Sequence, residues 1–116
     1  MKRQQREFMG RRGEDLAVEW MMSRGWRILD RRRRTPVGEI DIVAQDGDCL
    51  VFAEVKWRRS NADLGHAIDE RGLARIAGAA ESVAHEYDGS GGDRRVDVVL
   101  ISPGQPVRHI ANAWQP

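Results

Sequence analysis

The sequence predicts a mixed α/β (or α+β) domain with the element order α-β-β-β-α-β and a further edge strand. Three observations lead there. Apolar residues recur at helical spacing in two well-separated segments, two alternating runs between them flank an Asp-Gly pair, and "RRVDVVLIS" follows the second helical segment as a β-branched run. A chain of 116 residues suffices for one domain with a modest core and is too short for two ordinary ones. Residues 13–116 are read as that domain, with 1–12 as a flexible basic segment ahead of it.

Gly13 to Arg24 is the first predicted helix: Leu16, Ala17, Trp20 and Met21 form its apolar stripe, and Gly25 is placed to end it in a left-handed conformation. "WRILDR", Trp26 to Arg31, reads as a first strand, and "RRRRTPVG" as an exposed loop, because Pro36 and Gly38 punctuate it and adjacent guanidinium groups resist burial. Glu39 to Ala44 and Cys49 to Trp57 then form a hairpin around "QDGD", with Asp46-Gly47 as the central turn pair. "RRSNADLGH" is a polar connection. Asp69 to Tyr87 is the second helix, with Asp69 as its N-cap and Leu73, Ile76, Ala77, Ala80, Val83, Ala84 and Tyr87 on one stripe. "DGSGGD" is a loop, and "VRHIANAW" supplies a last edge strand.

Composition narrows the function classes. With 41% hydrophobic and 32% charged residues the chain is globular, and no apolar run approaches the roughly 18 residues of a membrane span. "MKRQQREFMGRR" is too charged for a secretory signal, so a cytoplasmic location is expected. The single Cys49 excludes an internal disulfide and a Cys-based zinc site, and is read as a small buried residue. Residues 1–34 carry 11 basic against 5 acidic side chains, a net of +6 that leaves −5 for the rest. Of 19 basic residues 17 are Arg, the side chain best matched to phosphate oxygens, although a genome biased toward Arg codons explains the excess equally well.

The hairpin "GEIDIVAQDGDCLVFAEVKWRR" places charges where core strands would be apolar. From an Asp46-Gly47 turn, Asp41 falls opposite Phe52 and Glu39 opposite Glu54. Asp41, Glu54 and Lys56 then share a face, with Asp41 and Glu54 diagonal neighbours about 7–8 Å apart. Converging carboxylates repel one another and resist desolvation unless a cation joins them, so a divalent ion is the expected solution. Lys56 is then placed to balance charge, steady an attacking water or stabilise developing negative charge on a phosphoryl group. The alternative from spacing alone is a set of cross-strand ion pairs on a solvated face.

"GEDLAVEWMMSRGWRIL", "GEIDIVAQDGDCLVFAEVKWR", "LGHAI" and "RRVDVVLI", in that order and followed by Trp114, resemble the YraN-like family of small bacterial proteins. That family is similar to the PD-(D/E)xK restriction-endonuclease-like superfamily, Holliday-junction resolvases included, and the resemblance runs from about Gly13 to Trp114. It implies a restriction-endonuclease-like αβββαβ core and a metal-dependent nuclease-like activity with Mg²⁺ or Mn²⁺. Asp41 and Glu54 match the metal-binding acids, Val55 would offer its backbone carbonyl, and Lys56 matches the motif lysine. Glu14 matches the acidic residue on the first helix that supplements the metal site in resolvase-like members. As a sequence position it reads equally well as an exposed first-turn carboxylate favoured by the helix dipole. Two features depart from the pattern: Gly72 stands, between Arg71 and Arg75, where many relatives carry Lys or Gln, and no Pro precedes Asp41.

Arg31, Arg32, Arg33, Arg34, Arg58 and Arg59 flank the hairpin and are expected to track phosphates around the ion with salt-sensitive affinity, or else to form a solvated charge run. Trp57 alternates with Lys56 and is assigned to packing, Trp20, Trp26 and Trp114 to the core, and His66, His85 and His109 to surface or structural roles. Asp97, inside an apolar strand, is assigned a structural role with backbone or Arg partners. The expected partner is nucleic acid, DNA foremost, with branched or otherwise non-standard structures among the candidate substrates; a homodimer would suit a symmetric junction. A non-catalytic nucleic-acid-binding module and a protein-interaction scaffold remain alternatives.

Overall fold

The first helix, α1 (Arg3–Ser23), ends as Gly25 predicts. Gly25 has φ +84°, and its N–H reaches the Met22 carbonyl at 3.0 Å while the Trp26 N–H reaches that of Met21, also at 3.0 Å. This is a Schellman cap, closed by apolar contact between Met21 and Trp26 in the core. A computed structural model describes residues 3–59, 69–87 and 92–114 of the chain. The predicted connection over 60–68, with the "LGHAI" block and His66, and most of the "DGSGGD" loop lie outside the described residues. So does Lys2.

Two strand and helix limits differ from expectation. The helix begins at Arg3 rather than Gly13, so residues expected as a separate flexible segment continue it: Gly13 interrupts the apolar stripe without breaking the hydrogen-bonded ladder. Gly13 itself is buried, and a Cβ there would meet Trp57 at 3.7 Å, so the missing side chain lets α1 approach the sheet. The first strand, β1 (Arg27–Arg34), absorbs Arg31 to Arg34. They were expected in a loop. A strand on the sheet edge tolerates such a run because its long side chains can leave either face and find acidic partners.

β2 (Glu39–Asp46) and β3 (Cys49–Trp57) form the predicted hairpin. Its turn is one residue later than expected: Asp46 pairs with Cys49, so Gly47 and Asp48 are the central residues. Gly47 has φ +57° and Asp48 does not join it in the left-handed region, so the turn takes its glycine at the first central position. Phe52 therefore pairs with Val43 rather than Asp41, a two-residue shift. A shift of two keeps each residue of β3 on its predicted face, which a shift of one would have reversed.

α2 (Glu70–Val83) starts at the predicted cap, the Asp69 side chain accepting from the Arg71 N–H at 3.0 Å, and runs out through a 3₁₀ turn at Ala84–Glu86. It crosses from β3 to β4 (Arg94–Ile101), which pairs with β3 in parallel, and β5 (Arg108–Ile110) closes the far edge against β4. The result is one mixed sheet in the order β1-β2-β3-β4-β5, the predicted fold class. α1 covers one face over Ile42, Ala44, Val51, Ala53 and Val99. α2 covers the other over Val43, Leu50, Phe52, Val96 and Val98. Burial of these two layers drives the fold at roughly 25 cal/mol per Å² of apolar surface removed from water. Among the described residues no helix is long and apolar enough to cross a membrane.

Candidate active site

The alternation of β2 breaks at Asp41. Ile42 packs on the α1 side, yet Ile40, two residues earlier, packs with the α2-side cluster, whereas a regular strand would keep both on one face. Across the strand gap the same happens in β1. Arg31 pairs with Ile42 and reaches Glu14 and Asp15 on α1, Arg33 pairs with Ile40 and reaches Glu86 in the turn after α2, and Arg32 between them has φ +52°. A non-glycine residue in that region carries strain of roughly 1–3 kcal/mol, which persists only where its surroundings impose it. The local face change turns the Asp41 carboxylate toward β3, where its Oδ2 accepts from the Val55 N–H at 2.8 Å.

Asp41 lines a cleft of about 390 Å³ with Glu14, Glu39 and Val55, rimmed by Arg11, Arg32 and Arg34. Its carboxyl is pushed up to about 6, first by burial and then by the neighbouring Glu54, Glu14 and Glu39 charges, against the opposing Val55 hydrogen bond. Such an acid is poised to lose its proton, or to accept a cation in its place, near neutral pH.

The remaining predicted residues are distributed unevenly around this centre. Glu54 and Lys56 alternate along β3 with Val55 and Trp57, which pack toward α1, and they pair with each other, Lys56 Nζ lying 2.6 Å from Glu54 Oε1. The expected flat face shared by Asp41, Phe52, Glu54 and Lys56 is thus corrected. Phe52, in the core under α2, keeps the face it shares by alternation with Glu54 and Lys56, while Asp41, at the point where β2 changes face, leaves it for the Val55 N–H and the cleft.

Glu14 is buried, 6% exposed, and lies well inside α1, which overturns its reading as an exposed first-turn carboxylate. Arg31 Nε donates to its Oε1 at 3.0 Å and Arg32 Nε to its Oε2 at 3.3 Å. Arg31 also reaches Asp15 at 2.6 Å, which holds that exposed carboxyl below its ordinary value.

Of the other arginines expected at phosphates, Arg33 forms a two-pronged pair with Glu86 at 2.8 Å and touches the Tyr87 hydroxyl. Arg34 faces the cleft. Arg58 donates to the Trp57 carbonyl at 2.8 Å, and Arg59 is exposed. Arg11 was missed. It stands three positions before Glu14 and so shares its helix face, a signal hidden only because the helix was expected to begin later.

Oxygen donors are the right class for Mg²⁺ or Mn²⁺. Among the described residues no three acidic, His or Cys side chains converge closely enough to hold a metal ion by themselves. The donors expected from the sequence, Asp41, Glu54 and the Val55 carbonyl, would therefore need other oxygens to complete a Mg²⁺ shell; of them Asp41 and Val55 line the cleft, and Glu54 is paired with Lys56.

A second polar cluster was foreseen only in part. Asp97, fully buried on β4, accepts from Arg95 Nε at 3.0 Å and the Asn112 N–H at 2.9 Å, and its Oδ2 lies 2.7 Å from His109 Nε2. Burial pushes its carboxyl up, but His109, Asn112 and Arg95 together outweigh this and leave it below its ordinary value. His109 packs edge-on against Trp20 and Trp26, whose rings are capped by Arg24 and Arg95. The structural roles expected for Asp97, His109, Trp20 and Trp26 are those observed.

Residues 13–101 match the family described as "Uncharacterised protein family UPF0102". A UPF0102 protein of Erythrobacter litoralis is 55% identical over 116 residues, covering all of both chains. One from Sphingopyxis alaskensis is 46% identical over the same full length, and one from Rhizorhabdus wittichii 42% identical over 108 residues, 93% of this chain and 92% of its own. By the family match and by these full-length identities alike, this chain belongs to the UPF0102 family.

Proposed function

We propose that this protein is a nuclease of the PD-(D/E)xK type, a metal-dependent phosphodiesterase acting on DNA. The observation that carries the reading is Asp41: a carboxyl raised to about 6, set at a break in β2, in a cleft whose rim is arginine. A cleft of that charge pattern suits a phosphodiester, its guanidinium groups matching the anion and its acids a cation between them. Asp41 and Glu54, with the Val55 carbonyl, would hold the ion, which when bound polarises the phosphate and lowers the pKa of a water.

The chain's own residues do the rest. Asp41 binds the Val55 N–H and so fixes the start of the Glu54-Val55-Lys56 segment against β2. Lys56, paired with Glu54, keeps a positive charge beside the acids and can move to the phosphate as charge develops there. Arg31 and Arg32 hold Glu14 and so fix α1 over the cleft, while Arg11 and Arg34 are directed to the flanking phosphates.

The test is a cleavage and binding panel over duplex, single-stranded, flap and four-way DNA, and RNA, with Mg²⁺ or Mn²⁺ and with EDTA. Cleavage that requires the ion and falls at least about 10³-fold in Glu54→Ala and Asp41→Ala is the expected result. Metal-independent binding that survives both changes, with no cleavage of any substrate, would instead identify a binding module.

A further inference from the structure

Among the described residues, two that are not glycine have positive φ: Asn112 at +53° and Arg32 at +52°. Asparagine visits the left-handed region readily, whereas arginine is strained there. A kink alone in an edge strand would be served by glycine, which takes this conformation without strain. What arginine adds at this point is its side chain.

Strand register says where that side chain goes. Arg31 pairs with Ile42 and Arg33 with Ile40, so Arg32 stands opposite Asp41, and opposed residues of an antiparallel pair share a face. Both line the cleft. The two strands change face at the same step, one delivering a guanidinium and the other a carboxyl to a common space.

The hydrogen bonds of the arginine run separate committed heads from a free one. Arg31 Nε and Nη2 both lie 3.0 Å from Glu14 Oε1, and Nη2 also reaches Asp15. Arg33 gives both terminal nitrogens to Glu86. Arg32 gives only Nε, to Glu14 Oε2 at 3.3 Å, and its side chain is 41% exposed. Among the described residues its Nη1 and Nη2 have no acceptor. A guanidinium anchored at Nε presents Nη1 and Nη2 as a planar fork, the geometry that takes two oxygens of one phosphate. Arg11 and Arg34 line the same cleft on backbone of ordinary φ.

We propose that Arg32 grips the reacting phosphate: Nη1 and Nη2 bind two of its oxygens across the cleft from Asp41, while Nε stays on Glu14. The strained backbone is what sets the fork at that point. The inference rests on the nucleic-acid reading above and adds which arginine holds the phosphate that reacts, leaving Arg11 and Arg34 for its neighbours.

The test is the salt dependence of binding, by fluorescence anisotropy in EDTA on the DNA that binds best in the panel above, for wild type, Arg32→Ala, Arg32→Gly and, as a control, Arg33→Ala, with the melting temperature of each. Losing one phosphate contact lowers the slope of log K against log salt by about 0.7 on a single strand and about 0.9 on duplex. Both Arg32 variants are expected to lose that much slope and about tenfold in affinity at low salt. Arg32→Gly is expected to melt above Arg32→Ala, because glycine is unstrained at φ +52°. Equal binding loss at unequal melting temperature then marks a contact and not a fold defect. Arg33→Ala, whose head is committed to Glu86, is expected to lose stability and keep the wild-type slope. One neutral methylphosphonate moved stepwise along the cleaved strand is expected to weaken the wild type about tenfold at the cleavage position, and to leave Arg32→Ala unaffected there. A wild-type slope in both Arg32 variants, a binding loss that follows melting temperature, a methylphosphonate effect shared by Arg32→Ala, or failure of the wild type to bind would overturn the assignment. Ion-dependent cleavage with unaltered slope in the Arg32 variants sinks the grip and leaves hydrolysis standing; slope lost at Arg32 with no cleavage of any substrate does the reverse.

Discussion

Asp41 on β2 and Asp97 on β4 lie on the two strands that flank β3, and their surroundings are opposites. Asp97 is fully buried and has a partner for each oxygen, in Arg95, His109 and the Asn112 N–H. Its carboxyl sits below its ordinary value despite burial. Among the described residues Asp41 has one backbone N–H and three acidic neighbours, and its carboxyl is pushed up to about 6. A carboxylate that serves the fold is surrounded by what neutralises it; Asp41 is held short of such partners among the described residues, and on that shortage the proposed function is built.

Removing the well-partnered acid has the largest expected effect on stability. Asp97→Ala leaves Arg95 and His109 without their shared acceptor and should cost about 3–5 kcal/mol, read from urea unfolding at pH 7. The Asp97 contribution is present above the ordinary carboxyl range and is lost as pH falls through its lowered value, so the deficit of the variant should shrink in acid.

Asp41→Asn should act in the other direction. The folded state raises this pKa, so ionising Asp41 costs nothing below about pH 4 and costs most above about pH 6. Asparagine keeps an acceptor for Val55 and carries no charge, so in EDTA the variant should be more stable than the wild type by about 3 kcal/mol at pH 7, and equal to it at pH 3.5. A destabilised Asp41→Asn at neutral pH would mean that Asp41 is a structural acid like Asp97, and the contrast would collapse.

Asp69→Ala gives the smallest effect and a calibration. Asp69 caps α2 through one backbone N–H, the same service Asp41 performs for Val55. Its loss should cost about 1 kcal/mol by chemical denaturation.

These contrasts bear on how much the sequence discloses. Gly25 and Asp69 were readable because capping is local: each needs only the backbone of its own turn. Asp-Gly located the hairpin but misplaced its turn by one residue, since the choice between Gly47 at the first or the second central position depends on strand twist as well as on glycine. Arg31 to Arg34 read as loop because four adjacent charges look unburiable; the partners Glu14, Asp15 and Glu86 of the first three are 16 to 53 positions away in the chain, beyond any local pattern. Asp41, Glu54, Val55 and Lys56 were picked out from the sequence as a constellation. The face change at Asp41 was not, because a break in alternation cannot be seen in a run whose polar and apolar residues alternate cleanly.

By itself, the sequence determined the two helices, the order of strands and the residues able to carry acid and ion chemistry, because periodicity and capping are set by neighbours along the chain. Only the tertiary structure decided that Glu14 is buried between two guanidinium groups, that Glu54 pairs with Lys56, and that Asp41 faces a cleft. Those outcomes depend on packing two helices against a twisted sheet, where residues remote in sequence compete for the same few ångströms and the desolvation of each charge is fixed by what happens to lie opposite.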